Sequence, residues 1–129
     1  AIIGILAAVG VVAYNGYTAS AKANSTKTMH SNAVKYISAE IQKCSLGESK
    51  FMGTNQDCPA TAAKAVSGAV ATMTDKNPYS TSNNAVRSSS SFNEGYVSLN
   101  ASGTNVEIKT CTKTGCASAD QLTATISVD

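Results

Sequence analysis

The sequence has little of the chemistry on which enzymes depend. It contains one histidine, no tryptophan and two prolines, and it lacks both the Gly-x-Ser-x-Gly motif and a phosphate-binding loop. Lys113–Gly115 matches the Lys-Thr-Gly element of penicillin-recognising enzymes, but the Ser-x-x-Lys sequence that would supply their nucleophile is missing. His30 lies on an apolar helical stripe, which is typical of a packed histidine rather than a base or ligand. We therefore expect no catalytic activity and no cofactor.

Long runs of one charge are also absent. Ten Lys or Arg and eight Asp or Glu residues give a net charge of +2, and they are spread along the chain. A protein that binds nucleic acid usually concentrates its basic residues on one face, so the composition gives no support for such a partner. The length of 129 residues predicts a single domain.

Four cysteines, Cys44, Cys58, Cys111 and Cys116, form an even set in a chain whose apolar opening suggests export. These two features predict disulfides formed in an oxidising compartment, with three pairings to choose from. The spacings of the four cysteines do not match those of zinc fingers, and the lone histidine is distant, so we expect no metal site.

The first thirteen residues are all apolar or glycine, and the first charge of the chain is Lys22. This run is too short to span a bilayer alone, since a membrane helix needs about 20 apolar residues. Three interpretations remain: the end of a membrane-spanning helix, with Tyr14 and Tyr17 near the water interface; the apolar part of a signal peptide, with Ala19–Ala21 at the cleavage site; or a buried core helix.

The helical pattern continues beyond this run. Positions with helical spacing, Thr26, His30, Ala33, Ile37, Ile41 and Cys44, form one stripe, and Gly47 is a suitable terminator. The pattern predicts one helix of about 45 residues, which is too long for a compact domain of this size. We divide the chain into a projecting hydrophobic helix half, residues 1–21, and a globular head, residues 22–129, which includes the rear half of the helix.

The remainder of the head predicts an α+β fold. Pro59–Met73 is alanine-rich with apolar positions at helical spacing, which predicts a short second helix. From Gly95 onwards, apolar and polar residues alternate in three segments, around Val97, around Val106 and from Leu122 to Val128. We expect three antiparallel strands whose apolar face is covered by Ala33, Ile37 and Ile41 of the long helix.

The segment Ala1–Val9, followed by Ala13 and Tyr14, resembles the N-terminal helix of bacterial type IV pilins. The resemblance implies a ladle-shaped fold, in which the front of a long helix bundles with its copies in a filament and the rear packs on an antiparallel sheet. Family members normally carry about ten more apolar residues in front, including a glutamate, and a proline where this chain has Val12. On this resemblance the assembly interface would comprise Ile2, Ile3, Ile5, Leu6, Val9, Val11, Val12 and Tyr14.

The function that the resemblance implies is that of a structural subunit of a type IV pilus, extracellular once assembled and held in the inner membrane before that. Its partners would be copies of itself in a helical homopolymer, the pilus assembly machinery and a prepilin peptidase. The alternatives are a pseudopilin of a type II secretion system and a membrane-anchored surface binding module.

For the cysteines we expect the local pairs Cys44–Cys58 and Cys111–Cys116. The first pair would close a loop of about fifteen residues, and the second would close a four-residue turn. Pairing between the early and late cysteines is the alternative, because some pilins tie the C-terminal region back to the sheet.

Overall fold

The computed structural model describes the backbone of residues 2–128 and the side chains of residues 18–128. Its largest element is the helix α1, Ile2–Ser45, which is continuous over 44 residues. The end of this helix is closed by glycine, as the sequence predicts. Gly47 has a φ of 95°, and the Glu48 amide reaches back to the Lys43 carbonyl oxygen at 3.0 Å.

The second helix, α2, covers Ala62–Thr72 and confirms the prediction for that segment. Thr61 precedes it as the N-cap, and its side-chain oxygen accepts a hydrogen bond from the Lys64 amide at 3.2 Å. Ala65, Val66 and Ala69 of α2 are buried, so the helix presents its alanine-rich face to the rest of the head.

The main sheet has four strands in the order β5 (Val86–Ser88), β6 (Val97–Ser102), β7 (Asn105–Cys111) and β8 (Gln121–Ser127), and the described part of the chain also contains two small hairpins. Three of its strands, β6 (Val97–Ser102), β7 (Asn105–Cys111) and β8 (Gln121–Ser127), form an antiparallel meander. This meander matches the three alternating segments of the sequence. A short 3-10 helix, Ser118–Asp120, lies between β7 and β8.

The expectation of a purely antiparallel sheet is wrong, because β5 (Val86–Ser88) pairs with β6 in parallel. Residues 89–96 run back along the sheet before β6 begins, which gives β5 and β6 the same direction. A strand of three residues beside a run of serines is too short to produce an alternating pattern, so the sequence carried no signal for it.

Two hairpins outside the main sheet, one between α1 and α2 and one after α2, were also not predicted. One joins β1 (Lys50–Phe51) to β2 (Gln56–Asp57), and the other joins β3 (Lys76–Asn77) to β4 (Ser80–Asn84). Three of these strands contain only two residues, so they are fixed by their surroundings rather than by a repeating pattern.

Both helices lie on the same face of the sheet, with α1 contacting β6, β7 and β8 and α2 contacting β5, β6 and β7. Helix α1, the β1–β2 hairpin, helix α2 and the sheet all contribute side chains to the core between these layers. Its largest fully buried apolar members are Phe51, Ile37, Met52, Leu99, Ile108, Val97 and Val106. The chain is therefore an α+β protein with a mixed sheet covered on one side.

Candidate functional site: the long helix and its attachment to the head

The residues predicted to form an assembly interface all precede Thr18, so their side chains lie outside the described residues. Helix α1 begins at Ile2, and among its described side chains Ala19, Ser20 and Ala21 are exposed. Burial against the head begins at Ala23, which is 2% exposed. Within residues 18–128, no helix is both long enough and apolar enough to cross a membrane.

The attachment of α1 to the head has an apolar centre. Ala33 and Ile37 are fully buried, and Ile41 is nearly so, as the stripe predicts. They belong to one apolar cluster with Leu99 and Ile108 of the sheet. Full burial of an isoleucine side chain contributes about 1.5–3 kcal/mol, so Ile37 and Ile41 supply most of the stabilisation from this strip.

Toward the N-terminal side of the head, the contact between helix and sheet becomes polar. The Nδ1 atom of His30 lies 2.7 Å from the hydroxyl oxygen of Thr110, which is fully buried on β7. Burial lowers the pKa of His30, which favours a neutral imidazole in this contact. The interpretation of His30 as a packed histidine agrees with this position, in which its ring joins α1 to the sheet.

Tyr79 lies at the same end of the head. Its hydroxyl donates a hydrogen bond of 2.7 Å to the carbonyl oxygen of Thr112, and the ammonium of Lys22 lies 5.5 Å from the centre of its ring. A cation at this distance from an aromatic face is attracted by the ring quadrupole. Lys22, the first charged residue of the chain, thus contacts the head at the point where α1 enters it.

Glu40 forms a second polar attachment that the sequence analysis missed. Its side chain is only 6% exposed, and its Oε1 atom accepts a hydrogen bond of 2.9 Å from the Gly53 amide. Its Oε2 atom lies 2.6 Å from the Lys43 ammonium. Glu40 follows Ile37 by three positions and Ala33 by seven, so helical spacing alone could have placed this acid on the buried face.

Burial of the Glu40 carboxyl raises its pKa, but hydrogen bonds from Lys43 and Gly53 outweigh this effect, and the pKa lies below its ordinary value. Glu40 is therefore charged at neutral pH and compensated on both oxygens. It joins α1 to the β1–β2 hairpin, whose Phe51 and Met52 are fully buried in the core.

The structure joins the cysteines in the two local pairs expected from the sequence. Cys44 is bonded to Cys58 with a Cα–Cα distance of 5.5 Å, and Cys111 is bonded to Cys116 with one of 5.4 Å. The first bond ties the C-terminal end of α1 to the segment that carries the β1–β2 hairpin. The second closes the turn after β7. No cysteine in the described residues is free.

The segment of residues 89–96, here called the crossing segment, is held to the sheet by aromatic and basic side chains. Arg87 lies 4.0 Å from the centre of the Tyr96 ring and donates hydrogen bonds to Ser98 and Asn93. The Lys109 ammonium lies 5.7 Å from the centre of the Phe92 ring. These two cations are thus occupied by contacts that fix the crossing segment to the sheet.

Asn77 connects the crossing segment to the β3–β4 hairpin. Its side-chain amide donates to the Glu94 carbonyl oxygen at 3.0 Å, and its Oδ1 atom accepts from the Tyr79 amide at 2.8 Å. Gly95 has a φ of 75°, and a Cβ atom at this position would lie 1.9 Å from Asn77 Oδ1. The position therefore requires glycine for two reasons, its backbone conformation and the space that Asn77 fills.

The polar side chains of the described residues serve mainly to join segments of the protein to one another. No group of three or more His, Cys, Asp or Glu side chains that could hold a metal ion occurs among them. The buried polar side chains Glu40, Asn77, Thr110 and Thr112 bond to other parts of the head or to the long helix.

Comparison with protein-family models, curated proteins and solved structures finds no match for this chain.

Proposed function

We propose that the chain is a type IV pilin, a structural subunit that polymerises through its N-terminal helix into an extracellular filament. The observation that carries the proposal is the relation between α1 and the head. The helix is continuous from Ile2 to Ser45, whereas its burial against the head, among the described side chains, begins at Ala23. Residues 1–21, which carry no charge, precede that point, and in this proposal they supply the surface on which copies pack.

The free energy of apolar burial supports a polymer. Burial of apolar surface contributes about 25 cal/mol per Å². The segment from Ala1 to Ala13 contains only apolar residues and glycine, so packing against copies of itself needs no ionic contacts. In this proposal the interface is formed by the eight residues that the resemblance assigns: Ile2, Ile3, Ile5, Leu6, Val9, Val11, Val12 and Tyr14.

The attachment of α1 to the head supports the same function. A subunit held in a filament by its helix needs that helix to be joined firmly to the rest of the protein. The His30–Thr110 contact joins α1 to the sheet, and the Glu40–Gly53 hydrogen bond and the Cys44–Cys58 disulfide join it to the segment of the β1–β2 hairpin. The role is structural, and we propose no catalytic step.

The test places a charge in the proposed interface. We expect Ile5→Asp and Val9→Asp to abolish filaments while the head stays folded, because a carboxylate among packed apolar helices has no compensating partner. Ala39→Asp is the matched control, since it adds the same charge to an exposed position of α1 within the head. Electron microscopy measures filament formation, and thermal unfolding followed by circular dichroism reports on the head.

Normal filaments from Ile5→Asp and Val9→Asp would contradict the proposal. So would wild-type protein that forms only micelle-sized particles in the microscope, which is the behaviour of an anchored binding module. Loss of filaments in Ala39→Asp would place the interface on the head instead.

A further inference from the structure

A polar groove of about 550 Å³ lies on the head, between α1 and the start of the β3–β4 hairpin. One wall is a strip of α1 formed by Asn24, Ser25, Thr28, Met29 and Asn32. These positions have the spacing of one helical face over two turns, a length of about 12 Å. The opposite wall is formed by Asp75, Lys76 and Pro78.

Several polar groups in this groove have no partner within the described residues. No hydrogen bond or ion pair there uses the side chains of Asn24, Ser25, Asn32 or Asp75. The groove therefore concentrates free amide, hydroxyl and carboxylate groups on its two walls.

The floor of the groove has an apolar component. Met29 is buried with 8% of its surface exposed, and Pro78 is half-buried on the opposite wall. A ligand in this groove would meet a thioether and a proline ring between the polar side chains. This combination suits a molecule that has apolar C–H surfaces as well as hydroxyl groups.

The charges of the groove restrict the class of ligand. Lys76 is its one cationic side chain, and that ammonium already donates to Asn84 Oδ1 at 2.7 Å. The neighbouring carboxylate of Asp75 opposes the binding of an anion. A divalent cation would find only this single carboxylate, whereas calcium takes six to eight oxygen ligands.

We propose that the groove binds a neutral saccharide of about two hexose units. The amides of Asn24 and Asn32 can each donate and accept, and Asp75 accepts, which matches the paired donors and acceptors of neighbouring sugar hydroxyls. The volume lies within the range of small-molecule sites. Without an aromatic side chain to stack on the sugar ring, the affinity is weak, with a Kd of about 1 mM. The proposal does not depend on filament assembly.

The test titrates the full ¹⁵N-labelled chain, in detergent micelles, with three disaccharides: maltose, cellobiose and N,N′-diacetylchitobiose. We expect at least one of them to produce saturable shifts of the backbone amides of residues 24–32 and 75–76. Asn32→Ala and Asp75→Ala should each weaken binding at least fivefold. The matched controls Gln42→Ala and Glu48→Ala alter exposed residues outside the groove and should leave it unchanged. The spectrum of each variant also shows whether the head remains folded.

Three results would overturn the proposal. The first is the absence of saturable shifts with all three disaccharides at tens of millimolar. The second is equal shifts of the same amides with inorganic phosphate, which would indicate an anion site. The third is saccharide binding that Asn32→Ala and Asp75→Ala leave unchanged, which would place the sugar elsewhere on the protein.

Discussion

Glu40 and Gly53 are thirteen residues apart in sequence, and a hydrogen bond of 2.9 Å joins the carboxylate of one to the amide of the other. Through this bond the long helix fixes the position of the turn that follows Phe51 and Met52, two of the largest buried side chains of the core. A single buried acid thus links the orientation of the helix to the packing of a hairpin.

We expect Glu40→Ala to lower the free energy of unfolding by about 2 kcal/mol, because the Gly53 amide would lose a charged acceptor, and a hydrogen bond to a charged group contributes about 1.5–3 kcal/mol. Glu40→Gln keeps an oxygen acceptor and should cost about half as much. Glu48→Ala, at an exposed position beyond the helix, is the control and should change stability by less than about 0.5 kcal/mol. Urea unfolding of the three variants measures these differences. Equal costs at positions 40 and 48 would contradict the prediction.

Stability should depend on pH through His30. In the unfolded chain its pKa is near 6.5, and burial holds the pKa of the folded state lower. Between these two values the unfolded chain binds more protons, so stability rises with pH. The contribution is fully present above about pH 6.5 and is lost as the pH falls through the folded-state pKa. We therefore expect the melting temperature to decrease as the pH is lowered from about 6.5 towards the folded-state pKa.

The variant His30→Gln isolates this contribution, since glutamine does not titrate. The difference in melting temperature between wild type and His30→Gln should change as the pH falls below about 6.5 and be constant at higher pH. Glu40 acts at lower pH, because its pKa is lowered from a value that is already acidic. A difference that stays constant over the whole range would show that His30 does not titrate differently in the two states.

Gly95→Ala should be more destabilising than Gly103→Ala, although both glycines have a positive φ. A Cβ atom at Gly103 meets nothing within 4 Å, so the cost there is the backbone conformation alone, about 1–2 kcal/mol. At Gly95 the Cβ atom would also displace Asn77, which adds about 1–3 kcal/mol of overpacking. Thermal or urea unfolding measures the two losses, and equal values would mean that the crossing segment can move away from Asn77 freely.

The two disulfides should differ in their contribution to stability. In the chain-entropy model, the loop closed by Cys44–Cys58 contributes about 3 kcal/mol and the shorter loop closed by Cys111–Cys116 about 2 kcal/mol. Replacing each pair with alanine and measuring urea unfolding tests this order. A larger loss for the shorter loop would show that native packing, and not loop length, determines the effect.

Peptide mapping of the unreduced protein tests the pairing itself. Cleavage after each lysine separates the four cysteines into residues 44–50, 51–64, 110–113 and 114–129. We expect the first of these peptides to be linked to the second and the third to the fourth. A peptide that joins Cys58 to Cys116 would contradict the pairing.

The elements that the sequence predicts correctly are those with a repeating pattern. The stripe through Ala33, Ile37 and Ile41 repeats often enough to define α1, and the alternation from Leu122 to Val128 does the same for β8. The strand β5 contains only three residues, and its parallel pairing depends on the crossing segment, which is held by Asn77 through Glu94, 17 positions further along the chain. Pairing of this kind leaves no periodic signal.

Among the residues that attach α1 to the head, the sequence likewise indicates some and not others. Cys44 and His30 attract notice in the sequence because their residue types are rare in this chain. Glu40 does not, since an acid three positions before a lysine usually forms a solvated pair on a helix surface. Its spacing from Ala33 and Ile37 places it on the buried face, but its bond to Gly53 depends on a segment that the helix sequence does not contain. The groove between α1 and the β3–β4 hairpin is hidden from the sequence for a similar reason, because its two walls are about fifty residues apart.

In the sequence, α1 precedes all the strands on which it packs, and this order affects how the protein can fold. Ile37 and Ile41 are buried against strands that include β7 and β8, the last two of the chain, so the core closes only after nearly all of the sequence is available. Contacts between residues so far apart carry a high entropic cost of loop closure and form slowly. The cysteine partners, separated by 14 and 5 positions, meet far more often in an unfolded chain. Covalent closure of both loops can therefore precede the sheet, and the correct disulfides do not have to wait for the fold that they stabilise.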